Sequence, residues 1–133
     1  MPALQNVVLT DRATTPVAHT FTPRDIRNGI AIVANSSGVI EADEILTISR
    51  RQQAGKLRSR MQITVPVVQT EVINGISKPK VIRVGVADVT FTFSTSSTEQ
   101  ERNNLEGMVA DALGTGKVLV YDTIVKGQGV YGA

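Results

Sequence analysis

Between residues 4 and 94 the chain presents six or seven β-type segments in succession, punctuated by turn residues. A run of strands without intervening crossover helices implies an antiparallel sheet, not a doubly wound α/β fold. Leu4, Val7, Val8 and Leu9 lead through Asp11 and Arg12 to an apolar-alternating piece over residues 17–22, an N-terminal hairpin that Pro23 is expected to end. Residues 29–34 (GIAIVA) form a strand closed by the turn signal Asn35-Ser36-Ser37-Gly38, and residues 44–50 (EILTISR) form the next, with a turn at residues 52–55. Residues 56–68 again read as strand. Asn74-Gly75, set between residues 70–73 and Ile76, is the strongest short hairpin signal in the chain, and residues 68–80 around it read as a long apolar loop containing Pro79. Residues 80–94, rich in Val, Thr and Phe, make a long last strand.

The chemistry changes at Ser96. Ser96 and Thr98 each precede a glutamate by three residues (Glu99, Glu101), the capping-box spacing that satisfies free amides at a helix start. Leu105, Met108, Val109, Ala112 and Leu113 then form one apolar stripe at helical spacing; Gly107 weakens the helix and Gly114 is placed to stop it. Residues 117–126 (KVLVYDTIVK) are ambiguous: their β-branched residues favour strand, whereas their position after a Gly-Thr-Gly break allows a second packed helix.

Strand alternation separates two faces. On residues 56–65 the even positions are Lys56, Arg58, Arg60, Gln62 and Thr64, and the odd ones are Leu57, Ser59, Met61, Ile63 and Val65. The preceding strand agrees, with Thr47, Ser49 and Arg51 on one side and Leu46 and Ile48 on the other. On the last strand Ala87, Val89, Phe91 and Phe93 oppose Val86, Asp88, Thr90 and Thr92, so Phe91 and Phe93 read as core. One long helix with at most one short companion is too narrow to cover such a sheet. The apolar face is therefore expected to borrow helices from a second copy in an obligate dimer, with Leu105, Met108, Val109 and Leu113 packing across it. Lys56, Arg58 and Arg60 recur about every 6.6 Å, twice the strand rise and close to the phosphate spacing of a nucleic-acid strand, which makes RNA a credible ligand.

Composition narrows the function. At 133 residues the chain suits one domain, and 14 Lys and Arg against 12 Asp and Glu leave a net charge of only +2. That balance hides a block of Arg50, Arg51, Lys56, Arg58 and Arg60 with no acid among them. The absence of cysteine excludes disulfides, thiolate nucleophiles and Cys-ligated metal, and His19 is the one imidazole. No convergent catalytic set is visible, so no enzyme, cofactor or metal site is expected. Gly127-Gln128-Gly129-Val130-Tyr131-Gly132 matches GxGxxG, but only Ala133 follows where a helix would have to open, and the segment reads as a flexible tail. Asn35-Ser36-Ser37 matches a glycosylation sequon but reads as a turn. With no apolar run of membrane-spanning length and no secretory start, no membrane partner is expected, and the protein should work in the cytoplasm where it is made.

Residues 86–93 (VADVTFTF) followed by residues 97–102 (STEQER) resemble the coat proteins of single-stranded RNA bacteriophages, the leviviruses, nearest the Q-beta type, where the stretch reads ADVTFSF and then STDEER. The order of elements is similar over essentially the whole chain. The resemblance implies an α+β fold: an antiparallel β-sheet with an N-terminal hairpin and two C-terminal α-helices, forming an interlocked dimer with a ten-stranded sheet. It implies a single coat protein domain over residues 1–133, divided into an N-terminal hairpin (1–23), main sheet (29–94), helices (97–126) and C-terminal tail (127–133). Residues 117–126 then become a helix.

Functionally the resemblance implies a capsid subunit that closes into a T=3 icosahedral shell in the bacterial host cytoplasm and resides in the virion. It implies genomic RNA on the inner sheet face, an RNA hairpin bound to repress translation, and a single maturation protein in the particle. The RNA-facing positions of the family fall on Lys56, Arg58, Arg60, Gln62 and Thr64, on Thr47 and Ser49, whose hydroxyls suit an unpaired base, and on Asp88. The loop carrying Asn74, Gly75 and Pro79 corresponds to the segment that meets its copies around the shell's symmetry axes. Two departures stand out: Val86 occupies the place of a base-stacking tyrosine, and the loop lacks the Q-beta type's cysteines, so no intersubunit disulfides are expected. The rival reading is a cellular RNA-binding dimeric β-sheet module with no shell-forming role.

Overall fold

Successive hairpins build the sheet. The computed structural model describes residues 2–36 and 42–132. Its strands are β1 (Val7–Thr10), β2 (Ala18–Arg27), β3 (Ile30–Asn35), β4 (Glu44–Gln53), β5 (Lys56–Ile73) and β6 (Ile76–Ser94), each hydrogen-bonded to its chain neighbour in a six-stranded sheet. Asn28-Gly29, Ala54-Gly55 and Asn74-Gly75 make the three tight connections, with φ of 50° and 77°, 51° and 76°, and 52° and 77°. Positive φ at both central positions gives the turn whose twist matches the flanking strands. Asn and Gly adopt it readily; Ala54 is the strained member.

Three sequence expectations change. Pro23 does not end the second strand: β2 runs on to Arg27, because a register shift between Pro23 and Asp25 absorbs the missing amide as a bulge. The Asn28-Gly29 turn, not the proline, closes that strand. Residues 68–80 are not an irregular loop, since β5 continues to Ile73 and β6 starts at Ile76, leaving only Asn74-Gly75 as the turn. Pro79 lies within β6, which is the edge strand of the single chain and tolerates a residue without a ladder donor. Finally, β4 extends to Gln53, so the fourth connection shortens to Ala54-Gly55. Ser37 and Gly38 of the expected turn, and Ser37 of the sequon, lie outside the described residues.

The chain divides into two compact units, Met1–Thr92 and Phe93–Ala133. The core of the first is one side of the sheet. Register aligns Val7 with Phe21, Val33 with Leu46, and Leu46 with Ile63, and Phe21, Val33 and Leu46 are buried with Leu4, Leu9 and Met61 against them. Farther along the same side, Ile26 and Ile48 flank Ala31 in register and remain 60% and 54% exposed.

In the second unit Thr98 caps α1 (Glu99–Ala112): its hydroxyl accepts from the Glu101 amide at 3.2 Å, and Glu101 Oε2 accepts from the Thr98 amide at 3.2 Å. The Gly114 amide bonds the Asp111 carbonyl where the helix stops. Residues 118–124 settle as a helix, α2 (Val118–Ile124), with Tyr121 and Val125 amides donating to the carbonyls four residues back at 2.8 Å. Within the single chain the α1 stripe stays open, Leu105 at 38%, Met108 at 65% and Leu113 at 47% exposure, with Val109 half-buried.

Candidate nucleic-acid interface

The other face of the sheet gathers the cations. Antiparallel pairing sets Arg51 opposite Arg58, Gln53 opposite Lys56, Ser49 opposite Arg60, and Thr47 opposite Gln62. These side chains share one face by strand alternation. Ile45 opposite Thr64 continues the row inward, where Gln62 and Thr64 are half-buried. Ile30, Ser49, Arg51, Lys56, Arg58 and Arg60 help line a shallow depression of about 410 Å³ on this face.

Directly opposed like charges on adjacent strands are destabilising. Yet among the described residues no carboxylate lies within ion-pair distance of Arg51, Lys56 or Arg58. Arg60 is the exception. Its Nε donates to Asp88 Oδ1 and Oδ2 at 3.0 and 3.1 Å, and Nη2 donates to Oδ2 as well. The hydrogen bonds from Arg60 hold the Asp88 carboxyl below the usual carboxylate range and raise the guanidinium in return. This bond also fixes Asp88 on the basic face, which by alternation brings Val86, Thr90 and Thr92 there too; Val86 is 58% exposed.

The structure thus brings together all eight residues expected at an RNA face: Lys56, Arg58, Arg60, Gln62, Thr64, Thr47 and Ser49 by register, and Asp88 through its bond to Arg60. Arg51 and Gln53 join them; the alternation of β4 already placed Arg51 beside Thr47 and Ser49. Phe91 and Phe93 are half-buried on the opposite side of β6 from Asp88. Asn74 and Gly75 sit at the far tip of the long β5–β6 ribbon, whose Glu71 and Lys80 approach to 3.9 Å and whose Val72, Ile73 and Ile76 are exposed.

The levivirus coat protein family model matches residues 2–131. The chain belongs to the levivirus coat proteins. It is 48% identical over 129 residues to the capsid protein of Pseudomonas phage PRR1, covering 96% of this chain and 98% of that one. The capsid protein of Escherichia virus Qbeta is 28% identical over 99 residues, covering 74% and 67%. Among solved structures, the bacteriophage GA protein capsid superposes with a TM-score of 0.81 at 23% identity, covering 97% of this chain and 98% of that chain. The virus-like particle of bacteriophage ESE058 gives 0.83 at 23%, covering 98% and 100%. These two likenesses establish the fold.

Membership places this coat protein among structural proteins, not catalysts. Both nitrogens of its lone imidazole, His19, are engaged by carboxylates, at 2.7 Å from Asp11 and 2.8 Å from Glu44.

Proposed function

We propose that this coat protein dimerises, closes into an icosahedral shell and packages genomic RNA against the basic sheet face. The observation that carries the reading is Arg51 opposed to Arg58 beside Lys56, a cluster that repels itself until an anion neutralises it. A polyanion spaced like a phosphate backbone meets that need along the whole row. Dimerisation is supported by complementary exposure: an uncovered apolar patch at Ile26 and Ile48 on the sheet, and an uncovered apolar stripe at Leu105, Met108 and Leu113 on the helix.

RNA affinity on this face is mainly electrostatic. With Val86 where the family's stacking tyrosine stands, a base contact of about 1–3 kcal/mol is missing, so discrimination among hairpins falls to the hydroxyls of Thr47 and Ser49, and translational repression is correspondingly weak. Electron microscopy of the protein expressed alone, with the nucleic acid extracted from purified particles, tests the reading. Closed shells containing nuclease-protected RNA are expected. Soluble dimers that bind RNA but never close would return the chain to a binding module.

A further inference from the structure

The N-terminal hairpin holds the chain's single histidine in a setting that RNA packaging does not use. His19 on β2 has Nδ1 at 2.8 Å from Glu44 Oε1 on β4, and Nε2 at 2.7 Å from Asp11 Oδ2 in the β1–β2 connection. A carboxylate oxygen only accepts, so both contacts are hydrogen bonds only when both ring nitrogens carry a proton. The acids are themselves anchored. Asp11 Oδ1 accepts from the Ala13 and Val17 amides at 3.1 and 2.9 Å, and Glu44 Oε1 also accepts from Asn35 Nδ2 at 2.8 Å. Because the carboxylates lie off different nitrogens of the ring, they do not converge on one cation, and among the described residues no cluster of metal-ligating side chains is assembled. What this site holds is a proton.

We propose that Asp11, His19 and Glu44 form a proton-gated latch, in which protonated His19 fastens the β1–β2 connection to β4 and loss of its proton as pH rises releases that connection. Among the described residues, the charges facing the ring are Asp11 from the connection and Glu44 from β4, while β3 contributes the uncharged Asn35 amide. Arg12 is a further charge beside Asp11 in the chain. Arg24, the nearby cation of β2, is engaged by Asp43 at 3.0 Å and does not compete. The hydrogen bond to Asp11, then that to Glu44, raises the imidazole above its ordinary 6.5. A group raised in the folded state contributes fully below its unfolded value and loses that contribution as pH climbs through the folded one, so the latch is shut below the ordinary imidazole value of 6.5 and opens as pH climbs through the raised one. Neutral His19 keeps one donor, and the other carboxylate then faces a lone pair.

A single histidine makes the test clean. In assembled particles carrying ¹⁵N-histidine, solid-state NMR across pH 5 to 10 reads the His19 midpoint directly, and trypsin cleavage after Arg12 reads release of the connection. Particles with His19→Gln are cleaved in parallel, so the ratio of the two rates cancels the protease's own pH profile. The expected result is a midpoint above 6.5, with the unsubstituted chain cut several-fold more slowly than His19→Gln at pH 6 and the ratio approaching one beyond the midpoint. Asp11→Asn, which keeps shape and removes charge, should shift the midpoint down and serves as the comparison where His19→Gln does not assemble. A midpoint at or below 6.5, or a cleavage ratio independent of pH, overturns the proposal.

Discussion

Asp88 holds Arg60 side-on across the β5–β6 seam, with Nε shared between both carboxylate oxygens at 3.0 and 3.1 Å. The pair joins residues 28 positions apart and neutralises one cation of the basic face in the free protein. On the proposed function, an RNA phosphate would compete with Asp88 for Arg60, whereas Arg51, Lys56 and Arg58 would meet it without a carboxylate rival.

The first prediction follows from that competition. Asp88→Asn should tighten binding to unrelated RNA hairpins alike and steepen the salt dependence by about 0.7 to 0.9 per phosphate gained. Binding curves at two salt concentrations measure both. An unchanged slope with weaker binding would mean that Asp88 reads a base directly.

The opposed pair Arg51 and Arg58 gives effects of opposite sign. Replacing Arg58 by Ala removes a phosphate contact, so RNA affinity and salt slope fall; it also removes cross-strand repulsion, so the RNA-free protein gains about 0.2 to 1 kcal/mol. Urea unfolding of RNA-free dimers and filter binding of the same samples check the two halves. Destabilisation of the RNA-free protein would contradict the repulsion.

These residues also show how far the sequence carried. Alternation over residues 56–65 assigns Lys56, Arg58 and Arg60 to one face because a period of two is local, and the Thr98-Glu101 box marks the helix start for the same reason. The Arg60–Asp88 bond and the Asp11–His19–Glu44 cluster are not local. Each depends on the register of strands far apart in the chain, which no single segment encodes. Pro23 misleads because a bulge, a tertiary accommodation, rescues the strand it would otherwise end. The apparent loop over residues 68–80 misleads because its Pro, Lys and Gly resemble turn chemistry, while an Asn-Gly turn with neighbouring β-branched residues sustains the ribbon to its tip.

Acid should loosen the hairpin from the other side. The hydrogen bond from His19, with the Val17 and Ala13 amides, holds Asp11 at about 2, against 3.8 for the unperturbed carboxyl. A depressed carboxylate contributes above its unfolded value and loses that contribution as pH falls through the folded one, so the window lies between about pH 4 and 2. Circular-dichroism melts from pH 5 to 2 should decline less for Asp11→Asn than for the unsubstituted chain. Parallel declines would show that Asp11 plays no part in the acid transition.

Ile48 separates a free-standing chain from the proposed dimer. It is 54% exposed on the apolar side of the single chain, while Phe21 on the same side is 2% exposed. Phe21→Ala empties a filled core in either case and should cost about 3–5 kcal/mol. Ile48→Ala distinguishes the two, because an exposed isoleucine truncates at a cost within about 0.5 kcal/mol, whereas one covered by a partner's α1 loses about 2–5 kcal/mol. The second value is expected, with an unfolding midpoint that rises with protein concentration as mass action requires of a dimer. Met108→Ala should reproduce it from the helix side, and where the proposed dimer packs Met108 on Ile48 the double substitution should cost less than the sum of the two. Two near-neutral single substitutions that simply add would leave the sheet's apolar side without its partner helix.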